Sequence, residues 1–193
     1  MYEYLNGKLA YKAPTHVVLD VGGVGYHVHI SLHTYTQIKD NEQCKLFISF
    51  QVREDAHTLF GFAEEGERRL FEHLISVSGI GPNTGRMILS SITPEEIQEA
   101  IIQGNVPLIK RIKGIGPKTA QRMVLELQDK LKKQGPDALT VVHRHQSIPE
   151  EALSALVMLG FARIQAEKVL AGALQSNPDL TVEALIKEAL RKL

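Results

Sequence analysis

Two heptapeptides carry the residue types best suited to chemistry in this chain: Gly79-Ile80-Gly81-Pro82-Asn83-Thr84-Gly85 and Gly114-Ile115-Gly116-Pro117-Lys118-Thr119-Ala120. They agree at both leading glycines, the isoleucine, the proline and the threonine, and they start 114 − 79 = 35 residues apart. The chemistry such a peptide supports is anion capture by the backbone. Glycine allows positive φ and a close approach of the main chain, the isoleucine can plug the turn into a core, and proline suits the first turn of a following helix. A helix starting there leaves N–H groups unpaired at its positive end, where phosphate is stabilised.

Each heptapeptide sits between apolar-periodic stretches. Leu70, Phe71, Leu74, Ile75 and Val77 precede the first, and Met87, Ile88 and Leu89 follow it; Val106, Leu108, Ile109 and Ile112 precede the second, and Met123, Val124 and Leu127 follow it. The repeated unit is helix, glycine turn, helix. Small residues at Gly85 and Ala120 predict close helix crossings. This is the pattern of a helix-hairpin-helix, which holds the nucleic-acid backbone without reading bases. In one copy the glycines could equally be helix terminators. Two copies agreeing at five positions argue against that, because capping alone does not require such identity. A dinucleotide-binding phosphate loop also fails, because no strand pattern precedes either copy.

Charge supports the same surface. The 22 Lys and Arg residues cancel 22 Asp and Glu overall. Between Lys110 and Lys133, however, eight basic residues (Lys110, Arg111, Lys113, Lys118, Arg122, Lys130, Lys132, Lys133) face only Glu126 and Asp129. A solvated helix face would also be charged, but the coincidence with the second glycine turn favours a cationic binding surface.

The 193 residues allow two or three small domains, and 44% hydrophobic with 23% charged residues is ordinary globular composition. Lone Cys44 excludes an internal disulfide and fits a reducing cytosol. No signal peptide or membrane-length apolar run is expected, since Met1 to Ala10 is broken by Glu3, Asn6 and Lys8.

Upstream of the hairpins the period is two. Val17, Leu19 and Val21, then Val24, Tyr26, Val28 and Ile30, alternate around Gly22-Gly23, and Leu46, Ile48, Phe50 and Val52 alternate again. With strands near Met1 to Tyr11 and His57 to Phe62, this predicts five or six short strands and a small OB-fold barrel over residues 1–64. Before the last strand lies Arg53-Glu54-Asp55-Ala56. Read locally this is a polar turn, and its paired acids lack the partners that catalysis or metal binding would need. Residues 65–133 then form an all-α domain holding both hairpins.

Gln134 to Ser147 has Gly135, Pro136 and a His143-Arg144-His145 cluster without apolar period, which reads as a flexible linker with solvated histidines. Residues 148–193 read as three helices: one opening at Pro149-Glu150-Glu151 and ending at Leu159-Gly160-Phe161, one from Ile164 to Leu174, and one from Thr181 to Leu193 with Thr181 as N-cap. So small a bundle cannot spare apolar groups, so exposed ones near Leu159 and Phe161 would mark a partner surface.

These parts in this order resemble the RuvA family, the Holliday-junction-binding subunits of the bacterial branch-migration complex. The Val21 to Tyr26 turn, the Val52 to Ala56 loop and the Leu59 to Phe62 strand carry the likeness, together with the twin hairpins, the linker and the bundle, which is UBA-like. The overall class is α+β multidomain. The resemblance implies a homotetramer, or two as an octamer on DNA, acting in recombination and repair in the cytoplasm. It implies phosphate contacts at Gly79, Gly81, Gly114 and Gly116, with Lys118 and Arg122 as charged helpers. It makes Glu54 and Asp55 an acidic pin at the crossover, whose repulsion of phosphates separates strands and disfavours ordinary duplex. It implies docking of the RuvB hexameric ATPase on Leu156, Leu159, Phe161 and Leu190, and the RuvC resolvase as a further partner.

The chain departs from the family pattern at Asn83, where a lysine is common, leaving Arg86 as the expected substitute. No catalytic residue, cofactor or metal is expected. A nucleotide-binding Gly-x-x-x-x-Gly-Lys-Ser/Thr motif does not occur, and Glu54-Asp55 alone does not make a two-metal nuclease centre. The non-enzymatic rival is a general hairpin scaffold that grips duplex without junction preference.

Overall fold

The structure is a computed structural model and describes residues 2–38, 43–134, 148–177 and 180–193. The chain divides into two compact units, residues 1–141 and 142–193.

The first unit opens with five strands, β1 (Tyr4–Ala13), β2 (His16–Val21), β3 (Val24–Ile30), β4 (Gln43–Val52) and β5 (His57–Phe62). They close into a barrel in the order β1-β2-β3-β5-β4, antiparallel except for β3 beside β5. Alternation decides the interior: Val17, Leu19, Val28, Ile30, Leu46 and Ile48 point inward and are buried. Gly22 and Gly23 form the two-residue turn between β2 and β3, both at positive φ (64° and 87°), as that turn requires. The Asp20 carboxylate accepts the Gly23 N–H at 2.7 Å.

A short helix, α1 (Leu32–Gln37), joins β3 to β4. The strand pattern did not foretell it, because two threonines and a tyrosine in six residues are weak helix formers. Its support is tertiary. Ser31 caps it, accepting the Thr34 N–H at 2.9 Å, while the Ser31 and Thr34 hydroxyls both donate to the carboxylate of Glu67, at 2.5 and 2.6 Å.

Glu67 belongs to α2 (Glu65–Ser76), which is followed by α3 (Pro82–Ser91), α4 (Pro94–Ile102), α5 (Val106–Ile109) and α6 (Pro117–Gln134). One apolar core joins these helices to the outer side of β5, where Phe60 and Phe62 meet the Phe71 ring at 5.2 and 4.9 Å. Beside it, Arg68 of α2 pairs with the Glu3 carboxylate at 2.5 Å and donates to the Glu3 carbonyl at 3.2 Å. Barrel and hairpin helices are thereby one packed body.

The linker expected over 134–147 lies outside the described residues, apart from Gln134 at the end of α6. The second unit contains α7 (Ile148–Met158), α8 (Arg163–Ser176) and α9 (Val182–Leu190), packed around Ala152, Leu156, Ala166, Leu170, Leu185 and Ala189. Thr181 caps α9 by accepting the Ala184 N–H at 3.3 Å, as its sequence position predicted.

Candidate nucleic-acid interface

The two glycine turns have the same internal geometry. Gly79 and Gly114 lead them at positive φ, 95° and 86°, a region in which a β-carbon is strained. The next N–H turns back on the preceding helix, from Ile80 to the Val77 carbonyl at 3.0 Å and from Ile115 to the Ile112 carbonyl at 3.1 Å. Ile80 and Ile115 are buried as plugs. The second helices then start on proline, with Gly85 N–H bonded to the Gly81 carbonyl and Ala120 N–H to the Gly116 carbonyl, both at 2.9 Å.

The second glycine of each turn has a different reason to be glycine. Gly81 adopts extended backbone, φ −83°, so conformational freedom is not the requirement. A β-carbon on Gly116 would meet nothing within 4 Å, and one on Gly81 only the Arg53 guanidinium, at 3.9 Å. These positions are open toward solvent above a helix start. α1, α4, α5 and α9 are closed by side-chain caps from Ser31, Thr93, Asn105 and Thr181, whereas α3 begins with no side-chain cap. Its leading N–H groups are therefore available to an anion.

Gly85 does bring helices close, and Ala120 is fully buried. A β-carbon on Gly85 would lie 2.9 Å from Ile75 Cγ2 and 3.2 Å from Phe71 Cε2, so α3 crosses α2 with no room for a side chain. The turns also support each other: Gly79 faces Thr119 of α6, and Gly114 lies beneath the Met87 methyl of α3.

Lys118 is exposed at the start of α6. Arg122 is exposed too, and its Nη1 donates to the Ser78 carbonyl at 3.1 Å, so it spans from the second hairpin to the first turn. Arg86 does not stand free as the replacement for a cation at Asn83. It is half-buried, and its Nη1 donates to the Thr15 carbonyl of the barrel at 2.9 Å. One turn along α3, the side chain reaches the barrel and is held there.

Glu54 and Asp55 lie exposed at the tip between β4 and β5, in a turn closed by the Arg53 N–H on the Ala56 carbonyl at 2.8 Å. Asp55 and Arg53 share a cleft of about 250 Å³ with His29, Gln51, Thr58, Phe60, Pro82 and Asn83. The acidic tip thus adjoins the open start of the first hairpin's second helix. Arg53 and His29 join this surface although sequence reasoning passed over them. Arg53 sits in a turn whose composition signals only polarity, and its approach to Gly81 is a tertiary fact.

In the second unit Leu156 is a correction. It is fully buried in the bundle core, because α7 turns it toward α8 and α9, so it cannot line a docking surface. Leu159 and Leu190 are exposed and Phe161 is half-buried. Met158 and Ile164, 86% and 83% exposed, flank the Leu159-Gly160-Phe161 turn and enlarge the apolar patch beyond the residues foreseen.

Among the described residues no group of three or more His, Cys, Asp or Glu is arranged to hold a metal, and no helix is long and apolar enough to cross a membrane.

Comparison with known proteins covers the same three parts. Residues 1–61 match the family "RuvA N terminal domain", 71–129 the "SAM-like Helix-hairpin-helix tandem", and 148–193 "RuvA, C-terminal domain". A protein of Christiangramia forsetii is 49% identical over the full length of both chains, and one of Cytophaga hutchinsonii is 50% identical over 99% of each. A protein of Bacteroides thetaiotaomicron is 45% identical, again over the full length of both. All three are named Holliday junction branch migration complex subunit RuvA. These relatives align with this chain over all or nearly all of its length, and the chain belongs to the RuvA family.

Proposed function

We propose that this protein binds four-way DNA junctions without sequence specificity, as a homotetramer or a pair of tetramers, and presents them to a RuvB-type ATPase motor for branch migration. It acts as the non-catalytic subunit in the cytoplasm, with the RuvC resolvase as a further partner. The observation that carries the reading is the pair of open glycine turns of equal geometry, the first sharing a cleft with an acidic tip.

The chemistry divides between attraction and exclusion. Backbone N–H groups at Gly79, Gly81, Gly114 and Gly116, with Lys118, Arg122 and Arg53, take phosphates of any sequence. Glu54 and Asp55 repel phosphates brought to the centre, so a continuous duplex laid across the face is penalised, whereas an open junction leaves the centre free. Leu159, Phe161 and Leu190, with Met158 and Ile164, offer the motor an apolar patch.

A competition gel shift at fixed salt tests this, with labelled four-way junction challenged by excess linear duplex of the same sequences. Junction complexes should survive, and Glu54→Gln with Asp55→Asn should lose the discrimination while still binding. Equal competition by duplex would leave only a general hairpin grip.

A further inference from the structure

We infer that the outer face of β2 and β3 is a second contact for the DNA phosphate backbone, made by His16, His27 and His29, and that it takes up protons as it binds. This rests on the hairpins being the primary DNA grip.

The three histidines form one row. His16 of β2 and His29 of β3 are register partners, and His27 stands opposite Val18, so all three project from the face opposite Val17, Val28 and Ile30. The His16 and His27 rings stack at 4.5 Å with 16° between planes, and His27 meets His29 edge-on at 4.9 Å. Tyr11 closes one end, 5.3 Å from His16, and Phe60 the other, 5.7 Å from His29. The stacked rings of His16 and His27 spend faces on one another, which leaves their edges for other partners. Imidazole edges carry N–H donors, which suit phosphate oxygens rather than base stacking.

The row also starts in the right place. His29 lines the cleft that holds Pro82 and Asn83 of the first hairpin, so a backbone seated on that turn continues onto His29, then His27 and His16. The strand 2–3 face of an OB-fold, flanked by its β1–β2 and β4–β5 loops, is well placed for nucleic acid. The same three residues are not arranged to hold a metal.

The surroundings explain the proton coupling. Burial, then the neighbouring His16, holds His27 below the ordinary imidazole value, and burial, then Arg86 and the other two histidines, does the same to His29. Facing the row are Tyr11 from β1, Arg86 from α3, and Arg53 and Asp55 from the β4–β5 loop; Asp55 is the one acid among them. Stacked imidazoles beside an arginine resist becoming charged together. A phosphodiester relieves that repulsion, so binding raises the proton affinity of His27 and His29 and is itself strengthened as pH falls.

Calorimetric titration of the full chain with a synthetic four-way junction, in buffers of different ionisation heat, reads this uptake directly. Wild-type protein should gain protons on binding and bind about tenfold tighter near pH 6 than near pH 8. His27→Gln with His29→Gln should abolish most of both effects. His27→Lys, whose charge is permanent, should bind near pH 8 about as tightly as wild type does near pH 6, and it keeps the idea testable should the double variant fold poorly. Equal uptake in wild type and double variant, or no gain from His27→Lys, overturns the proposal. Equal uptake with inorganic phosphate alone overturns the assignment to the DNA backbone. Junction-over-duplex selectivity of the wild type near pH 8 is scored separately and tests the hairpin reading without the row.

Discussion

The guanidinium of Arg122 donates to the Ser78 carbonyl across 3.1 Å, so a helix of the second hairpin holds the turn of the first. Its counterpart one repeat earlier is Met87 (122 − 87 = 35), which lies against Gly114 of the second turn. The hairpins are thus related by an internal near-symmetry in which each second helix packs on the other's glycine turn. One of the two contacts has become a charged donor.

Arg122 therefore has two roles that substitutions separate. Arg122→Ala removes the hydrogen bond and should cost about 1 kcal/mol in urea unfolding. Arg122→Met imitates Met87, restores packing and should recover part of that loss. Both variants lose the cation, so both should weaken DNA binding for all sequences and reduce the salt slope by about one. Binding by Arg122→Met at the wild-type level would show that the residue is a strut alone.

Glycines in the same turns should respond in opposite ways. Gly85→Ala pushes a methyl to 2.9 Å from Ile75 and should cost about 1–3 kcal/mol through overpacking. Gly116→Ala meets nothing within 4 Å, so stability should stay within about 1 kcal/mol of wild type, mostly the N-cap difference. If a phosphate is held by the backbone of this turn, that methyl stands in its way. Thermal melts paired with junction gel shifts should show Gly85→Ala losing stability first and Gly116→Ala losing affinity first.

What was legible in the sequence follows the range of the forces. Val17, Leu19, Val28 and Ile30 alternate because a barrel wall has an inside, and the repeat at Gly79 and Gly114 exposes the hairpins without any tertiary information. α4 was not singled out, although Thr93-Pro94-Glu95-Glu96 forms a capping box in the structure. α1 was not legible, since its weak helix formers are held by Glu67, thirty-odd residues away. The surroundings of Arg86 and Arg53 were not legible for the same reason: they depend on where the barrel stands against α3, as the Thr15 carbonyl and Gly81 show.

The Glu67 carboxylate is buried at that joint, and burial, opposed by the Ser31 and Thr34 hydroxyls, raises its pKa from the ordinary carboxylate value. A raised folded value contributes stability that is present below the unfolded value, 4.5, and is lost as pH climbs through the folded one. Glu67→Gln cannot ionise, so its unfolding free energy should lack that decline. Gln has one acceptor oxygen for two hydroxyl donors, so the variant should also be less stable near neutral pH, by about 1–3 kcal/mol. Urea unfolding of both proteins across a pH series checks both, and parallel curves would mean that Glu67 does not titrate in this range.

The terminal bundle separates core from surface within one turn of α7. Leu156 is fully buried among Ala166, Leu170 and Leu185, so Leu156→Ala should cost about 2–5 kcal/mol and melt so small a unit. Leu159→Ser and Met158→Ser alter side chains that are 62% and 86% exposed, and should leave the melting of the bundle nearly unchanged. If the patch docks a motor protein, these two should lose the motor's stimulation by junction-bound protein while DNA binding persists. Loss of stimulation only with Leu156→Ala would instead mean that the bundle matters as a folded spacer and that its partner uses another face.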